Sequence, residues 1–248
     1  MDSMRKTALV AGIFYVITFV SIPTLVPPLA LYSLVTGKDY LISSGSDTGA
    51  LWGAFLEIIV ALAGIGTAIT LYPVVKRQNE AMALGFVASR TLEAAMLFTG
   101  VASLLSLVTL HQDLGTATGA DAATLVTVGA SQVATHHWAF TLGGSLMPGI
   151  NAILLGTLLY RSGLVPRVIP AIGLIAAPLH LTAVILAMFG VVDRISTVTG
   201  IAAVPIAVWE FSLGVYLVAK GFKPSPITDG MTPVDTRPRT GPSSASNQ

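Results

Sequence analysis

The run LWGAFLEIIVALAGIGTAITLYPVV (Leu51–Val75), the pentapeptide KRQNE (76–80) and the run AMALGFVASRTLEAAMLFTGVASLLSLVTL (Ala81–Leu110) together decide the fold. Each apolar run exceeds the ~20 residues that a helix rising ~1.5 Å per residue needs to cross ~30 Å of hydrocarbon. The pentapeptide between them is polar and carries two cations, which suits a tight turn at a membrane surface. A backbone surrounded by lipid must satisfy its own hydrogen bonds, so runs of this length read as helices. The ten-residue alternating segments of a transmembrane β-barrel do not occur.

Four more runs of the same kind lie on either side. They cover about Thr7–Leu31, with Pro23 and Pro27 placed to kink or end it, then His137–Tyr160, Val168–Val191 and Val198–Ala219. The first begins behind a short basic segment but continues past the usual length of a signal-peptide core, so it reads as a retained span. Composition agrees: 53% of the 248 residues are apolar and 10% are charged, and mean hydropathy is +0.79. A soluble domain carries about 25% charged residues to face water. The expected fold class is therefore all-α, a polytopic membrane bundle of six transmembrane helices over residues 1–223.

The connections orient the bundle. Arg5, Lys6, Lys76, Arg77, Arg161, Arg167, Lys220 and Lys223 fall on one side, and only Lys38 and Arg194 fall on the other, beside Asp39, Asp47, Asp113, Asp121 and Asp193. Positive charge stays in the cytoplasm, which predicts both termini inside a cell (inner or plasma) membrane. The longest outer connection, about His111 to Val133, reads as a loop with room for a short amphipathic helix near Ala122–Val133. The tail from Pro224 to Gln248 is rich in Pro, Ser and Thr and reads as disordered. Leu71-Tyr72 and Leu159-Tyr160 each end a span, with Gly85 and Gly173 following at equal spacing; chance similarity among apolar helices is the simpler account of this echo.

Charge inside a span costs about 2.5–3.5 kcal/mol on insertion scales. Four such residues occur: Glu57, Arg90, Glu93 and Glu210. Arg90 and Glu93 are three residues apart and share a helix face. Counting the rise along each span puts Arg90, Glu93 and Glu210 within roughly 5 Å of one another in height, in the inner half of the membrane. They are expected to form an interior cluster, either a tie between helices or a site for a substrate or proton. Two carboxylates against one guanidinium leave one carboxylate without a full partner.

The remaining polar groups in or near the spans are Glu57, Asn151 and His180, secondary candidates for interhelical hydrogen bonds or a proton relay. His111, His136 and His137 lie toward the outer side with Glu57 and could be offered to Zn²⁺, although their spacing matches no ligand motif. Ser145, in GGSLMPG, could be offered as a nucleophile to His180, but close helix approach explains the glycines. Pro148 and Pro205 would kink their spans. The chain has no cysteine, which excludes thiolate chemistry and palmitoylation. No phosphate-cradling loop or nucleic-acid surface is present, and no cofactor is expected. The expected partner is the lipid bilayer; a small-molecule ligand and the oligomeric state stay open.

RKTALVAGIFYVITF (Arg5–Phe19), SRTLEA (Ser89–Ala94), YRSGLVPRVIPAIGLI (Tyr160–Ile175) and WEFSLGVYLVAKGF (Trp209–Phe222) resemble bacterial membrane proteins of the domain-of-unknown-function family 4386. The resemblance spans about Arg5 to Phe222 and places the family's pattern on Arg90, Glu93, Ser162, Gly163, Pro166, Arg167 and Glu210. The outer loops differ from typical members. The resemblance implies the topology and draws attention to the charged residues, but it implies no activity. The sequence favours a non-enzymatic role in sensing, assembly or regulation. A small-solute or proton-coupled transporter using Arg90, Glu93 and Glu210 is the alternative, and an intramembrane metal-dependent hydrolase using Glu57 and the outer histidines is a third reading.

Overall fold

The computed structural model describes residues 3–21, 46–114, 118, 120–194 and 196–229. Every regular element among them is helical. The chain runs through α1 (Ser3–Ile17), a short 3-10 turn (Thr18–Ser21), α2 (Thr48–Val75), α3 (Glu80–Leu114), α4 (Ala120–Phe140), a π-helical segment (Thr141–Leu146), α5 (Met147–Ser162), α6 (Val168–Met188) and α7 (Thr197–Ala219). Among the described residues, five continuous helices, with α4, the π segment and α5 forming one, are long and apolar enough to cross a membrane. The expected first span is described only up to Ser21. Its second half, with Pro23 and Pro27, lies outside the described residues.

Packing follows the order α1, α2, α3, α5, α6, α7 and back to α1, a closed ring with α4 laid against α3. Small residues set the closest approaches. A Cβ on Gly12 would sit 2.7 Å from the Gly214 carbonyl oxygen, which explains how α1 and α7 lie nearly backbone to backbone. Gly173 accommodates the ring of Trp209 in the same way, seating α7 on α6. The main core joins Tyr15, Leu71, Phe86, Leu155, Leu158, Trp209, Leu213 and their neighbours. On the outside, Ile175, Leu179, Ile201 and Val204 are more than half exposed, a surface suited to lipid and unsuited to water.

The start of α1 and the end of α7 share one end of the bundle. Arg5 donates to the Leu217 carbonyl at 2.8 Å and to the Val218 carbonyl at 2.6 Å, supplying donors that the last turn of α7 lacks. The turn from α5 to α6 is made there by Gly163 in the left-handed conformation (φ 66°), closing back on the Leu159 carbonyl. Residues 221–229 cross this same end. Ser225 donates to the Ser162 carbonyl at 2.6 Å, Lys223 N–H donates to the Leu164 carbonyl, and Arg77 reaches the carbonyls of Ile227 and Asp229. Residues 224–229, expected to belong to a disordered tail, are instead held against this end, with Ser225 buried and Ile227 packed on the main core. Residues 230–248 lie outside the described residues.

The opposite, distal end departs more from expectation. The region read as a loop from His111 to Val133 is mostly helix: α3 continues to Leu114, and α4 starts at Ala120 and runs without a break into the π segment. At ~1.5 Å per residue, α3 and the α4–α5 helix are roughly 50 and 60 Å long, whereas α6 and α7 are only a little over 30 Å. The excess forms a hairpin that stands, with the start of α2 alongside it, beyond the ends of α6 and α7. Its inner side buries Val101, Leu104, Leu107, Val108 and Leu125 against Ala50 and Ala54 of α2. Its outer side carries Ser106, Thr109, Thr127 and Thr135, whose hydroxyls donate to the carbonyl one turn back. That surface is mostly small and polar, with Leu105 and Val128 exposed among it, unlike the large apolar faces of α6 and α7.

Candidate functional site

Arg90, about 15 Å along α3 from its start, reaches the bundle interior at mid-height. It is 2% exposed. Its Nη1 donates to both carboxylate oxygens of Glu93, at 3.1 and 3.0 Å, and its Nη2 donates to Glu210 Oε1 at 2.5 Å. The first contact lies within one helix face, as an i,i+3 pair must. The second spans from α3 to α7. Asn151 of α5 adds a third helix: its Nδ2 donates to Glu93 Oε2 at 2.6 Å. Two aromatic rings flank the guanidinium, Tyr15 of α1 at 5.5 Å and Phe86 at 5.8 Å, close enough for cation–π attraction. Gly64 of α2 lies beside the Arg90 side chain, where a Cβ would just touch Cδ. The structure thus brings Arg90, Glu93 and Glu210 together and adds Asn151 and Tyr15. Asn151 was visible in the sequence only as an isolated polar residue, and nothing distinguished Tyr15 from other aromatic residues.

The cluster is almost satisfied, but not fully. Arg90 Nε, Ser89 Oγ and Asn151 Oδ1 are buried without a hydrogen-bond partner. Glu93 accepts three hydrogen bonds, while Glu210 is the most open member, its side chain 13% exposed.

His180 stands apart from Glu93 and Glu210. Its Nε2 donates to the backbone carbonyl of Ser145 at 2.8 Å, which fixes the proton on Nε2 because a carbonyl can only accept. Ser145 lies in the π segment. Pro148 has no N–H to return to the carbonyl four residues earlier, and Gly143-Gly144 bend easily, so the ladder widens there and leaves carbonyls for other donors. Gly143 also lets this segment approach α3, since a Cβ would lie 2.7 Å from Met96 Cβ and 3.0 Å from the Glu93 carbonyl. The contact between His180 and Ser145 is to the backbone, not to the hydroxyl that nucleophilic chemistry would need.

The outer histidines go to separate partners. His111 meets Asp47 at 2.6 Å, joined by Gln112, at the tip of the hairpin. His136 meets Glu57 at 3.3 Å where α4 crosses α2, both side chains buried and Glu57 Oε2 without a partner. His137 makes a tilted ring contact with His136 at 6.1 Å. Among the described residues no group of three or more His, Asp or Glu side chains could hold a metal. The convergence of His111, His136 and His137 on Glu57 that the hydrolase reading needs is not formed: i and i+1 on a helix point in different directions, and His111 lies several turns beyond Glu57.

No curated protein and no solved structure matches the chain significantly. The model of a family described as "Domain of unknown function (DUF4386)" matches residues 10–221, from within α1 to the end of α7 and enclosing every member of the Arg90 cluster, and the chain belongs to that family.

Proposed function

We propose that this is a non-enzymatic, multi-pass protein of a cell membrane, with six spans and both termini cytoplasmic, whose role is sensing, assembly or regulation. The observation that carries the reading is the Arg90 guanidinium, enclosed at mid-height and shared between Glu93 of its own helix and Glu210 of α7. A cation so enclosed acts as a tie, because its two terminal nitrogens are committed to carboxylates on two different helices. Together with Asn151 it fixes which of α1, α3, α5 and α7 are neighbours, while the polar hairpin of α3 and α4 offers the surface for a partner. Eight cations on the terminal side against two on the other support the orientation.

The test is the stability of purified Arg90→Ala protein in detergent. Removing one partner of a buried ion pair costs about 3–5 kcal/mol, a fall in Tm of roughly 10 °C for a chain of this size. Unchanged stability would overturn the structural tie. A second reading, a small-solute or proton-coupled transporter using the same cluster, is supported by one observation: the carboxylates outnumber the guanidinium, and Asn151 Oδ1 beside them has no partner.

A further inference from the structure

We propose that the Arg90, Glu93, Glu210 and Asn151 cluster is a binding site for one monovalent cation, a proton or an alkali metal ion, which supplies the positive charge the cluster lacks. This goes beyond the structural tie and holds whether or not the protein transports anything.

Charge balance is the first ground. With both carboxylates ionised, the cluster carries one guanidinium and two negative charges, a net of −1 at the mid-height of an apolar bundle. An uncompensated charge in such surroundings is far costlier than in water. The groups facing the cluster offer no second cation. They are Tyr15 on α1, Gly64 on α2, Phe86 on α3 and Asn151 on α5, while His180 on α6 stands apart, its Nε2 donating to the Ser145 carbonyl and its buried Nδ1 without a partner.

An unpartnered acceptor is the second, independent ground. Asn151 is 2% exposed. Its Nδ2 is spent on Glu93 Oε2, and the fixed geometry of the amide holds Oδ1 beside the same carboxylate, where it accepts nothing from the protein. A lone carbonyl oxygen next to surplus carboxylate suits a hard cation or the proton of a carboxylic acid, and repels anything negative. Glu210 is the most exposed member of the cluster and gives only Oε1 to Arg90.

The test uses the full chain in nanodiscs of zwitterionic lipid, with two arms. In the alkali arm, Tm is compared in NaCl, KCl and choline chloride at equal ionic strength. In the proton arm, infrared difference spectra across pH 5–9 are searched for the carbonyl stretch of a protonated carboxylic acid shielded from water. An alkali ion as occupant raises Tm over choline by roughly 5 °C at saturating salt. A proton as occupant gives no alkali preference and a protonated-acid band instead. Glu210→Gln keeps an acceptor oxygen for Arg90 and cancels the surplus charge, so it abolishes whichever response the wild type shows; Glu93→Gln is the second variant. A wild-type protein with neither response overturns the proposal, as does a response that persists undiminished in both glutamine variants. Either result leaves the Arg90→Ala outcome untouched, so failure of the cation site and failure of the tie are told apart.

Discussion

Asn151 Nδ2 donates a 2.6 Å hydrogen bond to Glu93 Oε2, joining α5 to α3 at the height where Arg90 joins α3 to α7. The amide thus steadies a carboxylate that already holds a guanidinium. Asn151→Leu removes one neutral donor and leaves the ion pair, so the expected loss is about 1–2 kcal/mol. Asn151→Asp, of nearly the same shape, adds a third carboxylate and should destabilise far more. Thermal unfolding of the two variants side by side checks the order; equal losses would mean that packing, not charge, dominates at this position.

Gly143 carries the approach of the π segment to α3. A methyl group there meets Met96 Cβ at 2.7 Å and the Glu93 carbonyl at 3.0 Å, and the backbone atom cannot step aside. Gly143→Ala is expected to cost about 1–3 kcal/mol. Gly200, with open space around its α-carbon, serves as the control. Its alanine variant should be neutral or slightly stabilising in the same assay.

The Glu57–His136 pair predicts a rescue. His136→Ala leaves the Glu57 carboxylate buried without its imidazole and should lower Tm. Adding Glu57→Leu should recover much of the loss, because removing both polar partners is milder than stranding one. If the double variant is less stable than His136→Ala, then Glu57 has another essential role.

The chain has no cysteine, so single-cysteine variants can be labelled without background. Thr127 lies exposed on the distal hairpin and Leu179 lies exposed on the apolar face of α6. With the termini cytoplasmic, Thr127→Cys reacts with a membrane-impermeant maleimide in intact cells, and Leu179→Cys stays unlabelled until the membrane is dissolved. Labelling of Thr127→Cys only in inverted vesicles would reverse the proposed orientation.

The sequence made some of this legible and hid the rest for physical reasons. Arg90, Glu93 and Glu210 stand out because charge is rare in apolar runs, and helical rise alone gives their relative heights. Asn151 and Tyr15 were harder, since rise gives height but not azimuth, and the α5 and α1 faces could not be oriented without the glycine contacts that set them. The stretch from about His111 to Val133 reads as loop because its Ala, Thr, Ser and Gly give little hydropathy signal. The stripe Ala122, Leu125, Gly129, His136 is present, but its partner is the far end of α3, which reads from sequence as part of a span. The π segment had a signal in Gly143, Gly144 and Pro148, although a kink and a widened turn look alike from sequence. The docked residues 224–229 were hidden because Pro and Ser suit a disordered tail and a strap held by backbone carbonyls equally well.

The most direct test of the central claim, that Arg90 ties α3 to α7 through Glu210, is a double-mutant cycle on thermal or denaturant stability with Arg90→Met, Glu210→Gln and the double variant. Two side chains in hydrogen-bonded contact in a buried site should couple by about 1–3 kcal/mol, so the double variant loses clearly less than the sum of the single losses. Losses that simply add would show that the two residues do not act together and would contradict the tie.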